Sequence, residues 1–224
     1  MFIAVQTSDI VHSTNMSQRQ HAQLIAELKT LLDEHDMLFS AQHEVYRGDA
    51  FQVCYTKPNE GLKAALLIKL RLLSFDEHNP VKLTQSLCFG HQTSLDKPIS
   101  QSMGEVFVQS GRVLDKTSRG QIAITLADIQ TSTNISNTST FNHSMAQSVS
   151  LITAFLNNHL TGLTQKQAQV IYHYLNENFP EQQFIADRLQ MTRQNVATHL
   201  KRGGADLFKQ SIEFFEQYCK DASQ

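Results

Sequence analysis

The chain has 224 residues, of which 41% are hydrophobic, and a formal net charge of -2. This length supports one or two domains with a buried core, and the near-neutral charge excludes a protein that attracts nucleic acid over its whole surface, so any such surface must be local. The three cysteines lack paired spacing, the first residues lack a basic leader, and no apolar run approaches about 20 residues, so we expect reduced thiols and a cytoplasmic protein with no membrane partner.

The first half of the chain alternates strand and helix patterns. FIAVQ predicts a strand, and the segment from Ser17 to His35 repeats apolar residues at the spacing of an amphipathic helix. MLFSAQHEVYRGDAFQVCY predicts two strands joined at a Gly-Asp turn. A helix (NEGLKAALLIKLRLLSFDEH), a strand (VKLTQSLCFGHQT), a helix (MGEVFVQSGRVLDKTS) and a closing strand (GQIAIT) follow. The order β-α-β-β-α-β-α-β predicts an α+β fold, a ferredoxin-like α/β sandwich domain over residues 1–129.

The composition changes once along the chain. Residues 130–149 are rich in Ser, Thr and Asn and predict a polar linker, with a polar edge strand followed by a loop as the alternative. Beyond them the patterns are helical, separated by Gly, Pro or short polar turns. We therefore predict a small all-α domain over residues 150–224, which resembles a helix-turn-helix domain for the reasons given below.

Two aspartates stand out in the first domain. Asp9 follows the first strand, and Asp49 lies in the turn of the hairpin; in a fold of this order both positions reach one side of the sheet. Paired carboxylates are ligands that suit Mg²⁺ or Mn²⁺, and the backbone carbonyl of Ile10 is a further candidate ligand. The alternative is local: Asp9 caps the next helix and Asp49 serves the turn.

Four segments, in this order, resemble the motifs of class III nucleotidyl cyclases. They are SDIVHST, EVYRGDAFQVCY, LCFGHQT and GEVFVQSGRVLDKTSRGQIAIT, and together they span most of residues 1–126. The resemblance implies a cyclase-like fold in which Asp9 and Asp49 hold Mg²⁺ or Mn²⁺ with a nucleotide. It also implies that Arg112 contacts the triphosphate or stabilises charge that develops at the α-phosphate.

The chain departs from the cyclase motifs at three places. The stretch before the Gly-Asp pair is one residue shorter than in cyclases and lacks the Lys or Glu that reads the base. Val108 stands where Asn or His is expected, one helical turn before Arg112. No glycine follows the His-Gln-Thr segment. We therefore expect nucleotide and metal binding without turnover. An active or residual cyclase tuned by the helical domain is the alternative, and a domain that only dimerises is a third interpretation.

The segment EQQFIADRLQMTRQNVATHLKR has the pattern of a helix-turn-helix. Ala186 is the small residue at which the second helix packs closely, and Gln190 occupies the turn. Thr192 is a good N-cap, so the second helix is predicted to begin at Arg193. Because the N-terminal part of a recognition helix enters the major groove, this helix is the candidate DNA reader. A plain helical hairpin and a protein-docking helix are the alternatives.

The predicted DNA contacts are side chains that suit base edges or phosphates. They are Thr192, Arg193, Gln194, Asn195, Thr198, His199, Lys201 and Arg202. The segment from residue 163 to 202 resembles the helix-turn-helix of sigma-factor region 4, and a degenerate cyclase-like domain followed by a helix-turn-helix resembles the SatD-type family. The prediction is a transcriptional regulator that binds double-stranded DNA, forms a homodimer and responds to a nucleotide effector.

Overall fold

The computed structural model describes residues 1–46, 48–75, 80–102, 104–127 and 138–223. The strands in these ranges are β1 (Phe2–Ile10), β2 (Ala41–Tyr46), β3 (Ala50–Tyr55), β4 (Leu83–His91) and β5 (Ile122–Leu126). The helices are α1 (Gln18–Leu38), α2 (Gly61–Leu73), α3 (Glu105–Lys116), α4 (Thr138–Gly162), α5 (Gln165–Asn176), α6 (Gln182–Leu189), α7 (Arg193–Gly203) and α8 (Ala205–Ala222). Within the described ranges, no helix combines the length and hydropathy needed to cross a membrane.

The strands form one sheet in the order β2-β3-β1-β4-β5. Strand β1 lies between β3 and β4 and is antiparallel to both, while β5 extends the edge of the sheet parallel to β4. The first four strands with α1 and α2 have the ferredoxin-like arrangement, in which the β-α-β unit is split by a central strand. The predicted α+β class is therefore confirmed.

Alternation along β1 gives the sheet two buried faces. Phe2, Ala4 and Ile10 join the core formed with α1 and α2, whereas Ile3 and Val5 join a second cluster with Val106 and Phe107 of α3. By the same alternation, Asp9 projects on the α3 face. This placement sets the acidic end of β1 against the end of α3 and the turn that follows it.

The first helix is longer than predicted. It begins with a capping box between Ser17 and Gln20, and it buries the apolar stripe that its spacing predicted. It continues past His35 to Leu38, so the Met37 and Leu38 that were expected in a strand are helical, and β2 begins at Ala41. Both of these residues are exposed, and an apolar pair in the last turn of an amphipathic helix looks like a strand in the sequence.

The C-terminal helices pack on the side of the sheet that carries α1 and α2. The main hydrophobic core is continuous from Leu28 of α1, through Leu66 of α2, to Phe208 of α8. The rings of Phe89 in β4 and Phe215 in α8 are stacked, with centroids 5.1 Å apart. The helical part of the chain thus completes the core of the sheet part.

The expected linker over residues 130–149 is helical where the structure describes it. Helix α4 starts at Thr138 rather than near residue 150, while residues 130–137 lie outside the described ranges. Its Asn157 carboxamide accepts from the backbone nitrogen of Ile122 in β5 and donates to the carbonyl of Ile122, both at 2.8 Å. Packing against an edge strand stabilises a helix that its Ser- and Thr-rich sequence does not favour. The division into two domains stays a prediction.

Candidate functional site

The two aspartates predicted to hold a metal lie close together. Asp9 is paired across the sheet with Ala50, the residue after Asp49, and the backbone nitrogen of Ile10 donates to the carbonyl of Asp49 at 3.1 Å. Partial burial of the carboxyl group and the negative charge of Asp49 both raise the pKa of Asp9, although one side of this residue is exposed to solvent. The two carboxylates are therefore near enough to repel each other. A cation bound by both would remove this repulsion.

Ser13 holds the second aspartate in place. Its hydroxyl group donates to Oδ2 of Asp49 at 2.7 Å, and the serine is buried in a single 3-10 turn. The preceding His12 has left-handed backbone angles, with φ of 60°, and this lets the chain turn sharply after β1. Sequence reasoning missed Ser13, although it lies within the SDIVHST segment that carries Asp9.

Ile10 follows Asp9 in β1 and is hydrogen-bonded to Asp49 through its backbone. Its side chain is buried, and its amide is bonded to Asp49, so the backbone at this position is fixed. The metal-ligand role of its carbonyl stays a prediction.

Among the described residues, the arginine that shifts the pKa of Asp9 is not the one that the cyclase resemblance indicates. Arg112 is exposed on α3 and is not among the charges that shift the pKa of Asp9. The guanidinium of Arg119, in the turn between α3 and β5, lowers the pKa of Asp9 and so partly offsets the effects of burial and of Asp49. Sequence reasoning missed Arg119; its signal was a basic residue directly before the glycine that opens the last strand.

A cavity lies beside the loop that follows β1. This loop cavity has a volume of about 460 Å³, and its polar wall includes His12, Gln20, Lys82 and Arg119. Among the described residues, no group of three or more His, Cys, Asp and Glu side chains is arranged to hold a metal ion by itself. Neither of the two carboxylates lines this cavity, but Arg119 does, and its charge also acts on Asp9. A cation held by two carboxylates leaves coordination positions that a bound anion can fill.

The second candidate site is formed by α6 and α7. The chain passes from α6 to α7 through a short turn in which Gln190 has left-handed backbone angles, with φ of 52°, and the nitrogen of Met191 donates to the carbonyl of Ala186 at 2.9 Å. Ala186 is fully buried. Thr192 then caps α7, since its hydroxyl oxygen accepts from the nitrogen of Asn195 at 3.2 Å. The predicted boundaries and cap of these two helices thus match the structure.

The buried face of helix α7 packs against α5. Val196 and Leu200 are buried, and a Cβ atom at Gly203 would lie 2.6 Å from Cδ1 of Ile171 in α5. A side chain at this position would displace the end of the Ile171 side chain, so glycine allows the two helices to pack closely without that shift. The left-handed cap is the next residue, Gly204, with φ of 72°.

The predicted DNA contacts lie on the open face of α7. Seven of the eight are exposed and His199 is half-buried. The exposed set is Thr192, Arg193, Gln194, Asn195, Thr198, Lys201 and Arg202. The hydroxyl group of Thr198 donates to the carbonyl of Gln194 at 2.9 Å, within the helix. Arg188 on α6, at the edge of this basic stretch, pairs with Glu177 at 3.2 Å, so its charge is partly neutralised.

No protein-family model matches the chain, and no curated protein is significantly similar to it. Solved structures similar to it include the catalytic core of a rhodopsin-guanylyl cyclase in complex with ATPαS, at 18% identity over 55% of this chain and 76% of that chain, with a TM-score of 0.47. The monomeric guanylyl cyclase domain of the RhoGC fusion protein from the aquatic fungus Blastocladiella emersonii has 19% identity over 55% and 80%, with a TM-score of 0.46. The adenylyl cyclase CyaB from P. aeruginosa has 13% identity over 55% and 76%, with a TM-score of 0.40.

Proposed function

We propose that this protein is a sequence-specific DNA-binding transcriptional regulator whose sheet domain forms a dimer and senses a nucleotide together with Mg²⁺. The observation that carries the proposal is the exposed polar and basic face of α7, which Thr192 caps and α5 supports. An arginine followed by two amides in the first turn can donate and accept at base edges. The proposal is supported further by the absence of acidic residues from 188 to 205, which leaves this face positively charged.

The side chains of α7 that are predicted to contact DNA fall into two groups by position. Arg193, Gln194 and Asn195 stand in the first turn, where a recognition helix approaches base pairs. Lys201 and Arg202 stand in the last turn, where a helix lying in the groove leaves it beside the phosphates. In a two-fold dimer, two such helices would read half-sites about one DNA turn apart.

The DNA-binding proposal is tested with a duplex selected from a random pool at about 0.15 M salt. Arg193→Ala should weaken binding to the selected duplex by about 1–3 kcal/mol and relax its sequence preference. Arg202→Ala should weaken binding to all duplexes alike and reduce the salt slope by about 1. Lys220→Ala, which removes an exposed charge from the end of α8, is the matched control and should bind as the wild type does. Binding of both arginine variants with unchanged affinity and salt dependence would contradict the proposal.

The nucleotide-sensing part of the proposal depends on Asp9 and Asp49. The loop cavity, whose Arg119 also acts on Asp9, offers His12, Lys82 and Arg119 to an anion, and a metal held by the two carboxylates would join the same anion. A ligand present at about 100 times its dissociation constant stabilises the folded state by about 2.7 kcal/mol. Thermal unfolding with ATP or GTP and Mg²⁺ should therefore show an increased Tm.

Asparagine substitutions test the metal ligands directly. Asp49→Asn should abolish the increase in Tm with nucleotide and Mg²⁺, whereas Asp115→Asn, an exposed residue of α3, should retain it. Asp9→Asn should also abolish the increase, but without ligand it should be slightly more stable than the wild type at neutral pH. The reason is that a raised folded-state pKa means that the charged carboxylate is disfavoured in the folded protein once the pH exceeds that pKa. A full increase in Tm with either Asp9→Asn or Asp49→Asn would exclude these residues as ligands.

The second candidate function is a nucleotidyl cyclase, which the proximity of Asp9 and Asp49 favours. Two carboxylates that hold divalent cations are one part of such chemistry, and Arg112 would be its charge-stabilising group. We expect no cyclic nucleotide from ATP or GTP with Mn²⁺, because the base-reading and Asn or His positions are missing. A cyclic product that Asp49→Ala abolishes would establish the enzyme instead.

A further inference from the structure

A second cavity lies where the sheet meets the C-terminal helices, and it shares Lys82 and Arg119 with the loop cavity. This junction cavity has a volume of about 470 Å³. One wall comes from the start of β4 and the turn before β5, with the side chains of Lys82 and Arg119. The facing wall comes from the end of α4 and the start of α5, where Thr161, Leu163 and Thr164 lie. The cavity therefore bridges two parts of the chain that are distant in sequence.

All the charged side chains that line the junction cavity are cationic. Its described lining residues include Lys69, Lys82 and Arg119 and no carboxylate. Lys82 and Arg119 are exposed, and neither forms a salt bridge within 4.0 Å to any residue in the described part of the chain. Two exposed cations over one concave surface concentrate a positive potential that a bound anion would neutralise.

The third cation is part of the frame of the cavity. The buried amine of Lys69 donates to the carbonyl of Leu83 and, at 2.8 Å, to the carbonyl of Gly120. It thereby fixes the start of β4 to the turn that carries Arg119. Burial lowers the pKa of Lys69 to about 7, so an anion in the cavity would also favour the charged form of this amine.

The facing wall adds apolar surface and a helix end. Leu160 and Leu163 line it, and Leu73 of α2 contributes from the sheet side. Helix α5 starts at this wall, with Thr164 as its cap, so its first amides favour negative charge. Helix α4 ends at the same wall and its last carbonyls oppose that field. The side-chain cations, rather than the helix ends, therefore determine the sign of the potential.

We propose that the junction cavity binds a small organic phosphate, with the phosphate between Lys82 and Arg119 and the organic part against Leu73, Leu160 and Leu163. An arginine and a lysine side chain can together pair with the two negative charges of a phosphate monoester. Contact between the organic group and the apolar wall should make an ester bind more tightly than inorganic phosphate. Because the ligand contacts the sheet on one side and the start of α5 on the other, it stabilises the packing between them. The proposed DNA-binding function determines only whether that packing alters DNA affinity; the binding site itself is independent of it.

The test uses the full chain in EDTA and 1-naphthyl phosphate as the probe, followed by its fluorescence and by calorimetry. EDTA removes divalent cations, so binding at the Asp9–Asp49 pair is eliminated from the signal. Thr161 is exposed and lines the junction cavity but not the loop cavity. Thr161→Glu places a carboxylate on the facing wall, and Thr161→Gln is the matched neutral control of nearly equal size.

The wild type and Thr161→Gln should bind the probe with the same affinity, and Thr161→Glu and Lys82→Gln should each bind it at least tenfold more weakly. Asp49→Asn should bind as the wild type does, so a failure of metal binding and a failure of this proposal are distinguishable. Uncharged 1-naphthol should bind at least tenfold more weakly than the phosphate. Equal binding by Thr161→Glu and Thr161→Gln, equal binding of 1-naphthol, or no binding by the wild type would each overturn the proposal.

Discussion

At the scale of single residues, ionisable groups inside the core couple the stability of the fold to pH. His35 of α1 is 3% exposed, its Nδ1 atom has no hydrogen-bond partner among the described residues, and its ring lies 4.9 Å from the ring of Phe39. Burial lowers the pKa of His35 to about 4. The folded protein therefore keeps this imidazole neutral at a pH where the unfolded chain binds a proton.

His35→Leu should reduce the loss of stability in acid. The folded-state pKa lies below the unfolded value near 6.5, so the stability is complete above pH 6.5 and is lost as the pH falls towards 4, by roughly 3 kcal/mol at most. Urea unfolding at pH 7.5 and pH 4.5 measures this difference, which should be clearly smaller in His35→Leu. His143→Leu, an exposed histidine of α4, is the control. An equal loss in His35→Leu and in the wild type would show that this residue does not determine the acid sensitivity.

The pKa of Asp9 depends on neighbours that its local sequence does not reveal. Asp9 was predicted to follow the first strand, but it lies within β1 and is paired with β3. Its pKa depends on Asp49 and Arg119, which are distant from it in the sequence. Ser13, which fixes Asp49, was also missed. A hydroxyl group in a loop becomes informative only when its partner is known, because serine is common on protein surfaces.

At the scale of elements, the α6–α7 turn contains a residue under backbone strain. Gln190 has a left-handed conformation, which costs a residue with a Cβ atom on the order of 1 kcal/mol and costs glycine little. The turn nevertheless satisfies the end of α6, since the nitrogen of Met191 bonds to Ala186. The sequence indicates the turn here because a helix pattern stops and a good N-cap follows.

Gln190→Gly should therefore stabilise the protein by about 0.5–1 kcal/mol, measured as an increased urea midpoint with an unchanged m value. Gln217→Gly provides the matched comparison, because Gln217 is exposed in the interior of α8, where glycine should cost about 1 kcal/mol. If both substitutions destabilise the protein to the same extent, the left-handed turn at Gln190 is contradicted.

At the scale of the whole molecule, the two parts of the chain share one core. Phe215 of α8 stacks on Phe89 of β4, and the rings of Phe2 and Tyr218 meet edge to face with centroids 6.0 Å apart. Packing of α5 against α2 extends this contact. We therefore expect the sheet and the C-terminal helices to unfold in a single transition.

Phe215→Ala should lower the free energy of unfolding by about 3–5 kcal/mol, because it leaves a cavity in a fully packed core. The loss should reach both parts, so hydrogen exchange should become faster in β4 and in α5 alike. Phe155→Ala makes the same change on α4 at a residue that is 55% exposed, and its effect should be small. Two separate transitions in the wild type, or faster exchange in the helices alone, would show that the parts are stable independently.

The sequence by itself determined the elements whose signals are local. Short apolar or alternating segments predicted the five strands and their order along the chain, the Gly-Asp pair predicted the hairpin, and the Thr192 cap predicted the start of α7. Each of these depends on contacts between residues a few positions apart, so the physical cause lies inside the segment that is read.

Only the tertiary structure decided the features whose partners are distant along the chain. Helix α4 forms from Ser- and Thr-rich residues because it packs on β5, and Arg119 rather than Arg112 acts on Asp9 because a turn brings it there. The junction cavity exists because Lys69 ties α2 to two carbonyls and α5 begins opposite. Tertiary packing can override local propensity, and long-range electrostatics depend on distances that a sequence pattern does not contain.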